Sequence, residues 1–144
     1  MRDRLRGSGL SLALLALVLS GPARAADSPR PALPDSPAGR RVAAFFDAFR
    51  AGTPERLAAF FSGAVSPDGL KQRPAAERAS RLAAIRKETG EVAIRRADAP
   101  AAGSVIVVTA GSAKSFTRWA FDFGPPPDVF LVGIAIDEAD DSDL

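Results

Sequence analysis

The chain has no histidine, no cysteine and no tyrosine, and one methionine and one tryptophan in 144 residues. Each absence removes a class of chemistry. Without cysteine there is no disulfide to staple the fold and no cysteine to carry a lipid anchor. Without histidine or cysteine, imidazole- and thiolate-ligated metal sites are excluded. A nucleophile–base arrangement would need lysine or a carboxylate as its base. Stability has to come from a packed core alone.

What is present divides the chain early. Arg2, Arg4 and Arg6 precede an apolar run from Leu10 to Leu19, followed by Ser20-Gly21-Pro22 and Ala23-Arg24-Ala25. A basic start, a short apolar stretch and an A-x-A site describe a secretory signal peptide. The run is about half the roughly 20 residues a spanning helix needs, so no stable membrane insertion is expected. The expectation is a leader over residues 1–25, cleaved after Ala25, and export to the periplasm or the medium. Removing the leader takes away four of the 19 basic and one of the 17 acidic side chains, leaving a net charge of −1. The basic pI of the whole sequence therefore comes largely from the leader and gives no case for nucleic acid as a partner.

Residues 26–35 (ADSPRPALPD) hold three prolines and no periodicity, and read as an extended lead-in. Ser36-Pro37 then gives a helix start, because serine can cap and proline suits the first helical position. Val42, Phe45, Phe46 and Phe49 recur at helical spacing, and Gly52 supplies a left-handed stop. Thr53-Pro54 repeats the start signal, and Leu57, Phe60 and Phe61 form the stripe of a second helix. Gly63 to Arg73 reads as a loop, with Pro67, Asp68 and Gly69 as turn signals. A third helix runs from Pro74 to Thr89 with a thin stripe of Ala75, Ala79, Leu82 and Ile85. Arg78 and Arg86 flank that stripe, and Glu77 and Arg81 are spaced for a surface pair.

After Gly90 the apolar period changes from 3.6 to 2. Strands are predicted over Glu91–Arg95, Ser104–Ala110, Ser115–Phe123 and Val129–Ile136, with connections short enough for antiparallel neighbours. Thr117, Trp119, Phe121 and Phe123 should meet the helices. Arg118 and Asp122 share the opposite face and could pair there. In the last strand Val129, Leu131 and Ala135 make the second face apolar too. The reading is one α+β domain over residues 36–138, helices packed on a curved antiparallel sheet, with an acidic, solvated tail over 139–144.

The stretch DSPAGRRVAAFFDAFRAGTPERLAAFF (Asp35–Phe61) resembles the opening of the nuclear-transport-factor-2-like (SnoaL-like) superfamily. More narrowly, it is similar to a small domain preceding some secreted bacterial hydrolases of the beta-lactamase and tail-specific protease types. The closing VFLVGIAID (Val129–Asp137) resembles that family's Ile-x-Gly-Ile-x-Ile ending. The resemblance implies a cone of helices packed into a strongly curved sheet. No hydrolase domain accompanies it in this sequence, so the expectation is a domain acting alone or in trans.

Enzymes of that superfamily use Tyr, Asp or His inside the cone, and two of these are missing here. AGSAKSF (Ala110–Phe116) carries Ser112, Lys114 and Ser115, but not at Ser-x-x-Lys spacing, and reads as a hairpin turn. The acidic tail lacks the glycine and the register of a calcium loop. No catalytic residue, metal ligand or cofactor is assigned. Cone-shaped folds often leave an apolar cavity, and Phe46, Phe49, Phe60, Trp119 and Phe121 are the candidate lining of one. The alternative for these aromatics is a filled core.

Three functions stay open at this point. One is an exported, non-catalytic accessory domain binding a small apolar ligand or a protein partner. The second is an isomerase- or cyclase-like enzyme acting on a hydrophobic small molecule. The third is a structural homodimer through the sheet face marked by Val129, Leu131 and Ala135.

Overall fold

A computed structural model describes residues 31–112 and 114–144; the expected leader lies outside the described residues. Four helices precede four strands: α1 Pro37–Ala51, α2 Pro54–Ala64, α3 Pro67–Gln72, α4 Ala75–Thr89, β1 Ala93–Ala101, β2 Ser104–Ala110, β3 Phe116–Phe123 and β4 Leu131–Ala139. The strands form one antiparallel sheet in sequence order. The fold is α+β. No helix among the described residues is long and apolar enough to cross a membrane.

The caps act as their chemistry dictates. Ser36 Oγ accepts from the Gly39 N–H at 3.0 Å, Thr53 Oγ1 from the Arg56 N–H at 3.3 Å, and Gly52 closes α1 at φ 72°. Gly39 has a second reason to be glycine. The lead-in folds back over the first turn, and a Cβ at Gly39 would lie 1.8 Å from the Pro34 carbonyl oxygen. Helix α3 corrects the loop expected over Gly63–Arg73. Ser66-Pro67 is a third use of the same signal, with Ser66 Oγ accepting from the Gly69 N–H at 3.1 Å. Six residues with no buried side chain carry no apolar period, so only the cap could have revealed the helix.

Helix α1 lies over the middle of the sheet. Phe45, Phe46 and Phe49 meet Trp119 at ring-centroid distances of 5.1–5.7 Å, mostly edge to face, and Phe45 and Phe46 meet Phe121 at 5.1 and 5.9 Å. Each fully buried ring contributes about 1.5–3 kcal/mol relative to exposure. Trp119 is fully buried, and its indole N–H donates to Thr109 Oγ1 at 2.9 Å. Thr109 is the one buried polar side chain among the described residues, so the indole and the hydroxyl satisfy each other.

The arginines join layers through their stems and forks. Arg86 on α4 donates to the Phe49 carbonyl at 3.2 Å, near the electronegative end of α1. Arg41 on α1 reaches the carbonyls of Gly63 and Asp128 at 3.1 and 2.9 Å. Arg78 holds the carbonyls of Arg73 and Gly69. Glu77 pairs with Arg73 at 3.5 Å rather than with Arg81, because Arg73 lies one turn before it at the helix entry.

The sheet departs from the sequence reading at both edges. Strand β1 is longer than expected and starts later; its register slips between Ile94 and Arg96 and between Asp98 and Ala101. The second of these accommodates Pro100, which an edge strand tolerates. Strand β4 runs on through Asp137 and Glu138, and Asp137 faces Arg118 across the ladder at 3.9 Å. Arg118 takes that partner on the next strand, while Asp122 stays exposed.

A register shift opposite Asp122–Phe123 changes the parity of β4. It sends Leu131 inward and pushes Val132 out, 69% exposed, while Val129 before the strand adopts φ 49° and is buried. The second apolar face expected from Val129, Leu131 and Ala135 therefore does not exist; only Ala135 of the three is exposed. Asp140 caps a 3-10 turn over Asp141–Asp143, and Arg96 donates to the Asp143 carbonyl at 3.2 Å. The Ser142 hydroxyl, then the Ser142 backbone N–H, donates to Asp140 and holds its carboxyl below the usual carboxylate range.

Candidate functional site

The helices do not cover the sheet evenly. The buried side of α4 is Ala79, Leu82 and Ala83, which suits close approach to a neighbouring helix, and α4 packs chiefly on α2. Its C-terminal end is pinned at the β2–β3 hairpin, where the Ser112 N–H donates to the Thr89 carbonyl at 3.3 Å. Between α4 and β4 the helix face of the sheet is left open, as a groove of about 960 Å³.

The groove has an apolar floor and unlike ends. Ile134 and Ile136 on β4, each half-buried, face Leu82 and Ile85 of α4, with Phe61 and Leu131 deeper in. Register fixes the polarity. Phe116 pairs with Ala139, so the hairpin and the end of α4 lie beside the close of β4, and the start of α4 lies beside Leu131. The Leu131 end thus carries Arg73, Arg78 and Arg81, and the Ala139 end carries Lys114, Glu88 and Glu138. Arg73 is partnered by Glu77 and Arg78 by main-chain carbonyls. The side chains of Arg81 and Glu138 appear in none of the ion pairs or side-chain hydrogen bonds among the described residues.

The five residues proposed from sequence as a pocket lining lie elsewhere. Phe46, Phe49, Trp119 and Phe121 are fully buried and packed against one another, and none borders the groove. Phe60 is half-buried, stands edge-on to Phe45 at 5.6 Å and to Phe61 at 5.3 Å, and borders a shallower depression of about 460 Å³ beside Arg41 and Asp128. The structure brings four of the five together as core. The groove residues were visible in sequence only as two oddities: the thin stripe of α4, and the apolar character of both faces of the last strand. Lys114 and Ser115, read as turn residues, stand at its far end.

No cluster of three or more acidic residues able to hold a metal occurs among the described residues. Compared with known proteins, the chain matches no family model, no curated protein and no solved structure. The geometry of the groove therefore carries the functional argument.

Proposed function

We propose that this chain is a non-catalytic binding domain, acting after export, whose site is the groove between α4 and β4. The observation that carries the reading is the pairing of an apolar floor with a basic end beside an unpaired strand edge. Such a surface suits an extended, apolar occupant bearing negative charge. A protein segment fits better than a small molecule, because the groove is open along the whole of β4 rather than enclosed. Two features support a non-catalytic role: the sequence has no histidine, cysteine or tyrosine, and the interior's one buried polar side chain, among the described residues, is spent on Trp119. The order of helices before a meander keeps the nuclear-transport-factor-2-like cone as the proposed kinship, with the four-stranded sheet as its reduced form.

An apolar dye with a sulfonate group, anilinonaphthalene sulfonate, tests the site. At submicromolar protein it should bind saturably, and Ile85→Glu should abolish the fluorescence gain while leaving thermal unfolding cooperative. Equal dye response in the wild type and this variant rejects the groove as the site.

A further inference from the structure

We infer that the groove is shared with a second copy of this chain, added edge to edge along β4 in antiparallel register about a twofold axis at Ala135. The inference rests on the groove reading and goes further by naming the partner.

The two edges of the sheet are treated differently. Strand β1 carries the devices that discourage pairing: two register irregularities, Pro100, and the charged Arg95, Arg96 and Asp98. Strand β4 has no proline between Gly133 and Ala139, where its register with β3 is unbroken; its charges, Asp137 and Glu138, gather at one end, and its one register shift lies just before this stretch, at Val132. Its sequence there, GIAIDEA, is apolar until Asp137 and has no proline or lysine. An unpaired edge of this kind is a template for another strand.

Charge selects the partner. The strand is acidic at its C-terminal end, and the groove is basic at the opposite end, beside Leu131. A parallel strand of like sequence would set acidic end against acidic end. Antiparallel pairing centred on Ala135 sets Leu131 opposite the partner's Ala139 and Ile134 opposite the partner's Ile136. Ile134, Ile136 and Glu138 all lie on the helix face, since their register partners Phe121, Trp119 and Thr117 do. The two isoleucine pairs then continue the apolar floor across the axis. The partner's Glu138 comes opposite Val132, at the end that holds Arg81, and the twofold makes the same contact twice. Glu138 and Arg81, both exposed, thereby find each other. Val132, the most exposed large apolar side chain of the described residues, lies within the shared edge.

The absence of cysteine makes the register directly readable. With Ala135 on the axis, its two copies face each other with Cα atoms about 4.5–5.5 Å apart, within disulfide reach. Two copies of Val132 would be about 20 Å apart, six residues of strand at roughly 3.4 Å each. Oxidised Ala135→Cys should run as a covalent dimer and oxidised Val132→Cys as a monomer. Sedimentation of the purified wild-type chain should show a reversible dimer that weakens with salt. Arg81→Glu and Glu138→Lys should each raise the dissociation constant about tenfold or more, and the double variant should recover most of the loss. A wild-type chain that stays monomeric at several hundred micromolar overturns the inference. So does a dimer indifferent to both charge reversals, or one cross-linked through Val132 instead of Ala135. Saturable dye binding by a strictly monomeric chain would reject the second copy while leaving the groove as the site.

Discussion

Replacing Thr109 by valine tests whether the interior is the closed, satisfied core described above. Valine keeps the shape of threonine and removes only the hydroxyl, so the indole N–H of Trp119 loses its partner at 2.9 Å. Both residues are fully buried, so no solvent can take over. Leaving a buried donor unpaired costs about 1–3 kcal/mol, partly offset because valine buries more comfortably than threonine. Thr109→Ser keeps the hydroxyl and loses a methyl group, a cost of about 1 kcal/mol. The hydrogen bond thus makes the isosteric change the more damaging of the two, against the order that volume alone predicts. With a urea dependence of about 2 kcal/mol per molar, a 2 kcal/mol loss moves the midpoint down by about 1 M. Trp119 is the only tryptophan in the sequence, so its fluorescence reports both the unfolding and the change in its own surroundings. A valine variant as stable as the wild type, or more stable than the serine variant, would refute the reasoning. It would mean that the indole has another partner or that water reaches the interior.

Three further outcomes are expected. Gly39→Ala forces a methyl group to within 1.8 Å of the Pro34 carbonyl oxygen, so the lead-in must detach or the first turn must shift, and a loss of about 2–4 kcal/mol should appear in the thermal midpoint. Ser66→Ala removes the cap of α3 and should cost about 1 kcal/mol, seen most directly as faster amide exchange at Gly69 and its neighbours. The turn closed by Asp140 should depend on pH in one direction. Its carboxyl titrates below 3.8 when folded, so its contribution is complete above the ordinary carboxylate range and is lost as pH falls through the folded value. An NMR titration should show the Ser142 amide moving with Asp140, and an amide insensitive to acid over that range would rule the contact out.

The aromatic interior, the capped helices and the antiparallel order of the strands were written in local patterns. Ser-Pro and Thr-Pro before an apolar stripe mark helix starts because serine and threonine satisfy free N–H groups where proline has none to offer. Alternation after Gly90 marks strands because side chains on a strand change faces at every residue. These are properties of neighbours in the chain, so the sequence alone determined them, along with the chemistry that missing histidine, cysteine and tyrosine remove. The fold decided the rest. One extra residue in β4, at Val132, turned Leu131 inward beside Ile134 and Ile136, and no local pattern announced it, because the apolar run around it fits either parity. The groove exists because α4 leans on α2 rather than on the sheet, which depends on where helices far apart in sequence find room. Its polarity comes from a hairpin at Ser112 meeting the end of a helix at Thr89. Contacts between distant segments are set by packing and register together, and neither is a property of any short stretch of chain.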